Sequence, residues 1–283
     1  MLYDRKNEPL TPERFRNPGS EYRGAPFWAW NDKLDKETLL RQIAIFEEMG
    51  FGGFHMHVRT GLDTPYLSDE FLDMVKACNQ EARERGMLSY LYDEDRYASG
   101  VAGGLVTADW RYRERYVRLS PRYLPEYEPD RAAFDEKIAA GGHPVGYRLA
   151  CYRVTFRDGY LEEYRRLPPD NYGEADDLWY VYLELSPPSP WFNNQTYVNT
   201  LDKKAIERFV EITHERYKEV VGNEFGGAVQ SIFSDEPQFS RKTTLGFAGE
   251  KKDVVLPWTD DLPDTFRAAY GEELLAGLPE LYW

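Results

Sequence analysis

The sequence predicts an α/β fold of the (β/α)8 TIM-barrel type, with only about the first four βα units present and an antiparallel β insertion after the third strand. Two observations lead to this prediction. Short apolar segments alternate with amphipathic helical segments at the spacing of right-handed βαβ units. Two of the apolar segments also end in carboxylates, at the edge where α/β folds place their chemistry.

The first three units are predicted from residues 25–92. Apolar strands are expected at 25–30, 52–58 and 87–92. Two amphipathic helices connect them, with Asp35 and Ser68 as candidate N-terminal caps. A glycine follows each helical pattern, in the position that favours a helix end.

The regular alternation of predicted strands and helices then ends. In residues 112–190 apolar and polar residues alternate and turn residues are frequent, so we expect an inserted β subdomain there. Helical spacing resumes at Asp202, and the strand 229–233 forms the fourth unit before Pro237. The predicted divisions are therefore 1–111, 112–190 and 191–283, and the last contains the fourth unit and a C-terminal segment.

Composition excludes several classes of function. The chain has 283 residues and a net charge of −14, from 35 Lys and Arg against 49 Asp and Glu. A nucleic-acid partner needs a basic face, so none is expected. Nor is a membrane partner expected, because no apolar run approaches the roughly 18 residues that a spanning helix needs. The polar N-terminus and two distant cysteines predict a reducing, cytoplasmic compartment.

Asp235 and Glu236 directly follow the fourth strand and are the leading catalytic candidates. Glycoside hydrolysis requires one carboxylic acid to protonate the leaving oxygen and a second carboxylate to activate water or attack carbon. A partly buried strand end supplies an environment that keeps an acid protonated. We assign Glu236 as that acid and Asp235 as a substrate-binding residue that orients its neighbours by hydrogen bonding. The alternative is that Glu236 only caps a loop or pairs with an arginine.

A second acidic cluster, residues 93–96, follows the third strand. Three adjacent carboxylates repel one another unless a cation lies among them. Asp93, Asp95 and Arg96 are candidates for binding substrate hydroxyl groups. Metal coordination through oxygen ligands and an internal ion-pair network are the alternatives.

His55 and His57 alternate on the second strand and therefore share one face. We assign both histidines, together with Arg59, to substrate binding. Hydrogen-bonded core histidines and a surface ion pair are the alternatives. Trp30 is a candidate stacking platform for a sugar ring, with core packing as the alternative.

Four segments together resemble one group of enzymes. They are residues 27–31 (FWAWN), 53–62 (GFHMHVRTGL), 92–100 (YDEDRYASG) and 233–237 (FSDEP). They are similar to the catalytic region of glycoside hydrolase family 106, the α-L-rhamnosidase-like enzymes. The similarity covers most of residues 10–245, whereas members of the family are much longer and have a complete barrel followed by β-rich domains.

The resemblance implies an inverting hydrolase with a pair of acidic residues and a calcium ion near the sugar. Glu236 matches the strand-four carboxylate and so resembles the general acid. The partner carboxylate belongs to a later strand that this chain lacks, and the metal ligands stay unassigned.

The sequence as a whole therefore predicts a glycosidase that cleaves a terminal sugar from an oligosaccharide or glycoside. The alternative is a catalytically silent, carbohydrate-binding half-barrel. In that case a second copy of the chain or a missing C-terminal half would complete it, because half-barrels leave unpaired strand edges.

Overall fold

The protein is described by a computed structural model, which covers residues 9–170, 172–239, 242–247 and 249–283. The chain divides into two compact units. The first unit contains the described residues up to 108, together with 190–195 and 206–238. The second unit contains residues 109–189, 196–205 and those described from 239 onwards.

The strands of the described residues are β1 (Phe27–Trp30), β2 (Gly53–Val58), β3 (Leu88–Tyr92), β4 (Arg115–Ser120), β5 (Gly146–Arg157), β6 (Tyr160–Arg166), β7 (Leu178–Leu185), β8 (Val229–Phe233) and β9 (Val254–Trp258). The α-helices are α1 (Pro12–Arg16), α2 (Lys36–Glu48), α3 (Asp69–Glu84), α4 (Arg131–Ala139), α5 (Lys203–Val210), α6 (Arg216–Val221), α7 (Leu262–Tyr270) and α8 (Leu274–Gly277). A π-helical turn, Glu211–Glu215, connects α5 to α6. Within the described ranges, we find no helix with the length and apolar character needed to span a bilayer.

The first unit is built on a parallel sheet in the order β1-β2-β3-β8. All four strands were predicted, as were helices α2 and α3, within one or two residues of their ends. The predicted caps are confirmed. The Asp35 side chain accepts a hydrogen bond from Thr38 N at 2.9 Å, and the Ser68 side chain accepts one from Phe71 N at 3.2 Å. Each cap satisfies a backbone N–H that has no partner within the helix.

The core of the first unit lies between this sheet and its helices. Trp28 packs edge-to-face against Phe46 and Phe54, at centroid distances of 5.4 and 5.3 Å. Trp30 packs in the same way against Phe71 at 5.4 Å. Because side chains alternate along a strand, Ala29, which lies between these tryptophans, points to the opposite face of the sheet. Aromatic rings thus pack against one another within a core that also contains many aliphatic side chains.

A closed barrel is not what the described residues form. Their parallel sheet has four strands and does not close on itself, whereas a (β/α)8 barrel needs eight tilted strands for its ends to meet. The predicted parallel α/β sheet with βαβ connections is therefore confirmed, whereas a closed TIM barrel is not observed among these residues.

The second unit is built on an antiparallel sheet in the order β6-β5-β7-β4-β9. Both faces of its central strand β7 are covered. Trp179, Val181 and Leu183 pack on one face and Leu178, Tyr180 and Tyr182 on the other. This double burial explains why 178–185 is apolar without the alternation typical of a half-exposed strand.

Four elements of the second unit were not predicted: α4, β6, β9 and α8. Strand β9 contains Pro257, a residue that in a sequence argues against a strand. The strand pairs with β4 and occupies an edge of the sheet, where the missing N–H of proline costs no ladder hydrogen bond. The C-terminal segment, predicted to follow the fourth barrel unit, accordingly belongs to the second unit from residue 239 onwards.

We expect Phe54→Ala to lower the free energy of unfolding by about 3–5 kcal/mol, because it leaves a cavity among packed aromatic rings. Phe54 is fully buried. Chemical unfolding followed by circular dichroism measures the loss. The matched control is Phe15→Ala at a side chain that is 75% exposed, and equal losses in the two variants would contradict the assignment of the core.

Candidate active site

The candidate site lies at the carboxyl end of the parallel sheet. Asp93 directly follows β3, and Asp235 and Glu236 follow β8 after one intervening serine. The two strands are hydrogen-bonded neighbours, with Tyr92 opposite Phe233. The acidic ends that the sequence predicted separately are therefore brought to one edge of the sheet.

Asp93 is fully buried and holds several elements together. Its Oδ1 accepts a hydrogen bond from Ser99 Oγ at 2.6 Å. Its Oδ2 accepts one from Ser234 Oγ and lies 3.0 Å from His214 Nε2. This placement favours the internal-network alternative for Asp93 over contact with a substrate, because no part of its side chain reaches the surface.

Glu94 is also fully buried, and its carboxylate accepts five backbone N–H groups. Oε2 accepts from Gly100, Val101 and Ala102 at 2.8–2.9 Å. Oε1 accepts from Asp95 at 2.9 Å and from Gly103 at 2.6 Å. Burial raises the pKa of Glu94 to about 7, against the opposite effect of these donors. The side chain thus determines the shape of the loop 95–104.

Asp95 and Arg96 start this loop and are both half-buried. Arg96 Nε donates to Asp95 Oδ1 at 3.3 Å, and its Nη1 donates to Asn193 Oδ1. Burial raises the pKa of Asp95, and Arg96 opposes this. The backbone of Arg96 has a φ of +82°, in the left-handed region that non-glycine residues seldom adopt. The adjacent carboxylates of 93–95 thus point to three separate sets of partners.

Asp235 is half-buried and connected to the same loop through its backbone. Its N–H donates to Ser99 Oγ at 2.8 Å, and Ser99 N–H donates to the Asp235 carbonyl at 2.9 Å. Burial and the neighbouring charge of Glu236 raise the pKa of the Asp235 carboxyl, whereas Arg59 lowers it. The backbone of Asp235 is therefore fixed to the loop, and its carboxyl lies beside the charges of Glu236 and Arg59.

Glu236 differs from the other carboxylates because it is exposed, so the partly buried environment predicted for the acid is wrong. Its Oε2 accepts a hydrogen bond from Tyr97 OH at 2.9 Å. Gln238 Nε2 donates both to that hydroxyl, at 3.0 Å, and to the Glu236 carbonyl, at 2.8 Å. Glu236 has a φ of +36°, a strained conformation of the kind that concentrates at functional sites. Its carboxylate is thus both accessible and positioned.

His55 and His57 lie on the same face of the sheet, as predicted. His55 stacks on Tyr90 with ring centroids 4.4 Å apart, and His57 stacks on Tyr92 at 4.1 Å. His57 Nδ1 lies 3.2 Å from the carbonyl of Val58, so Nδ1 carries the proton and Nε2 is the acceptor in the neutral ring. Burial and the charge of Arg59 lower the pKa of His57 to about 4.

Arg59 follows β2 and acts on this cluster through its charge, which lowers the pKa of both Asp235 and His57. Trp30 is not part of the cluster. It is 1% exposed and packs on the helical side of the sheet. The core-packing alternative therefore describes Trp30, because alternation directs its side chain away from the face that carries the histidines.

Sequence reasoning missed several residues that build the site: His214, Ser99, Ser234, Tyr97 and Gln238. His214 lies in the π-helical turn, which sequence periodicity does not show because it changes the helical repeat over only one turn. The serine and tyrosine of 97–99 were available as part of a motif, yet their partners lie more than 100 residues away in the chain.

The described side chains do not by themselves fit the calcium ion that the resemblance implies. Among them, no group of three or more His, Cys, Asp or Glu residues converges to hold a metal ion. The carboxylates of Asp93 and Glu94 are occupied by serine, histidine and backbone donors. No chemical step is therefore derived through a metal.

Comparison with known proteins adds one structural relative. No model of a known protein family matches the chain, and no curated protein matches it. The chain is similar in structure to a rhamnosidase from Novosphingobium sp. PP1Y, with a TM-score of 0.50 and 12% sequence identity. The match covers 97% of this chain and 43% of that protein. At this identity the likeness concerns the fold.

We expect Glu94→Gln to loosen the loop 95–104. A glutamine amide places an N–H₂ group against backbone donors, and each buried donor that loses its acceptor costs about 1–3 kcal/mol. Hydrogen exchange measured by mass spectrometry should show faster exchange of the amides of 100–103. Glu48→Gln, on the exposed surface of α2, is the control. Unchanged protection in Glu94→Gln would contradict the role of the carboxylate.

We expect His57 to stay neutral well below pH 6, with a titration midpoint of about 4. Because the folded-state pKa lies below the unfolded value of about 6.5, the unfolded chain takes up the proton first. The stability contributed by neutral His57 is thus complete above pH 6.5 and is lost as the pH falls towards 4. NMR titration of the ring Cε1–H signals, assigned with His57→Gln, measures the midpoint. A midpoint near 6.5 would refute the prediction.

Proposed function

We propose that the chain is the N-terminal part of a glycoside hydrolase that cleaves a terminal sugar, with Glu236 as the general acid. The observation that carries this proposal is the state of Glu236 itself. It is an accessible carboxylate at the carboxyl end of a parallel strand, in a strained backbone conformation and held by a tyrosine hydroxyl. Strain of this kind persists only where the surroundings enforce it.

In the proposed reaction, Glu236 donates its proton to the glycosidic oxygen while the bond from that oxygen to the sugar carbon breaks. Water then adds to the carbon and loses a proton to a second carboxylate. Asp235 and Arg59 supply charge next to the acid. Tyr97 and Gln238 restrict the orientation of the Glu236 side chain, which a proton donor needs in order to remain within reach of the leaving oxygen.

The substrate class is proposed from two independent indications. The four sequence motifs resemble glycoside hydrolase family 106, and the structural relative is a rhamnosidase. Both favour an α-L-rhamnoside or a related deoxy-sugar. We also propose the half-buried His55, Asp95 and Arg96 as substrate-binding residues, a cytoplasmic location and a (β/α)8 barrel for the longer enzyme. His57 is enclosed like Asp93, at 3% exposure, and fits the hydrogen-bonded core alternative. The chain spans 43% of the relative's length, so the second carboxylate and any calcium site would come from strands beyond those described here.

The second candidate is a carbohydrate-binding half-barrel without activity of its own. It is favoured by the four-stranded parallel sheet, which does not close among the described residues. A second copy of the chain or a partner would then supply the remaining strands and the second carboxylate.

We expect Glu236→Gln to lower kcat by about 10²–10⁴-fold on alkyl glycosides, since their leaving groups require a proton. The loss should be much smaller on 4-nitrophenyl glycosides, because nitrophenolate leaves without protonation. Hydrolysis of both series, including 4-nitrophenyl α-L-rhamnopyranoside, measures the difference. Glu70→Gln, at the exposed start of α3, is the matched control.

A uniform loss across both series would exclude Glu236 as the proton donor. The absence of hydrolysis in the wild-type chain, combined with sugar binding, would support the half-barrel candidate over the hydrolase.

A further inference from the structure

We propose that Trp191 is a preformed platform on which the ring of a pyranose sugar stacks, one tyrosine side chain away from Glu236. The platform rests on the proposed function in one respect, namely that the ligand is a sugar. Trp191 lies in the short 3-10 turn Pro190–Phe192. Its side chain is 63% exposed, whereas Trp28, Trp30, Trp179 and Trp258 are buried.

The segment that carries Trp191 is anchored to the loop 95–104 at three points. Asn193 accepts a hydrogen bond from Arg96 Nη1. The Trp191 ring packs edge-to-face on Tyr97, with centroids 5.5 Å apart and an interplanar angle of 89°. Gln195 lies so close to Gly104 that a Cβ there would come within 2.4 Å of its amide oxygen.

Gly104 has a φ of +92°, so both its conformation and this close approach require glycine. The loop in turn takes its shape from the backbone hydrogen bonds to Glu94. Glu94 thus fixes the loop, and the loop fixes Trp191, although the ring of Trp191 is exposed to solvent. An exposed ring with a fixed position loses little conformational freedom when a ligand binds.

The position of the Trp191 ring relative to Glu236 determines which kind of ligand the ring can bind. A single tyrosine side chain separates them, because Tyr97 contacts Trp191 through its ring and Glu236 Oε2 through its hydroxyl at 2.9 Å. A pyranose presents one face of C–H groups, which packs against an indole face, and hydroxyl groups around its edge. The amides of Asn193 and Gln238 bond to Arg96 and to Tyr97, the two residues that connect the ring to the acid.

The ligand class that fits is therefore a pyranoside with an exposed C–H face. Anionic ligands fit less well, because the charges of Glu236 and Asp235 act on Tyr97 and would repel an anion.

The test is sugar binding to the full chain in a Glu236→Gln background, which prevents turnover. The probes are methyl α-L-rhamnopyranoside, methyl β-D-galactopyranoside and methyl α-D-mannopyranoside, titrated by saturation-transfer NMR. We expect at least one to bind, and we expect Trp191→Ala to weaken its affinity about tenfold, the size of one lost aromatic contact. Trp191→Phe keeps a ring and should lose less than about threefold on the same scale.

Tyr22→Ala, at an exposed aromatic residue of the first unit outside the site, should change nothing. The proposal is overturned if none of the three probes binds, or if Trp191→Ala binds as tightly as its parent. Binding that depends on Trp191 without any hydrolysis by the wild-type chain would remove the proposed hydrolase and leave the platform. Hydrolysis with an unchanged KM in Trp191→Ala would support the proposed hydrolase and overturn the platform.

Discussion

The buried carboxylate of Glu94 is the interaction on which the rest of the site depends. Its two oxygens accept from five backbone N–H groups of one loop at once, whereas the amide of a glutamine would put a donor in the place of one acceptor. The loop therefore folds around a carboxyl group that is enclosed and does not reach the surface. Its outer residues, above all Tyr97, are then presented to Glu236 and to Trp191.

The carboxylates at this end of the sheet carry the same chemical group but occupy different environments. Asp93 is enclosed by two serine hydroxyls and a histidine, and Asp235 is half-buried beside a like charge. Glu236 alone in this set is exposed. Environment, and not residue type, separates structural acids from a candidate catalytic acid, as it does wherever neighbouring carboxylates take different roles.

Much of the first unit could be predicted because its signals are local. Strand β2 alternates, helices α2 and α3 have helical spacing, and Asp35 and Ser68 cap them as expected. Strand β9 could not be predicted, because only its pairing with β4 makes Pro257 acceptable at a sheet edge. The π-helical turn that brings His214 to Asp93 was hidden for a similar reason: one inserted residue barely disturbs a pattern of apolar positions.

The sequence by itself determined which residues could form parallel strands and which carboxylates would stand at their ends, since periodicity and strand termination are properties of neighbours in the chain. The tertiary structure decided what each side chain does there. It buried Trp30 in the core, enclosed Asp93 and Glu94, and brought Tyr97 into contact with Glu236, 139 residues away in the chain. Burial and hydrogen-bond partners are set by contacts between distant segments, and these exist only once the chain has folded.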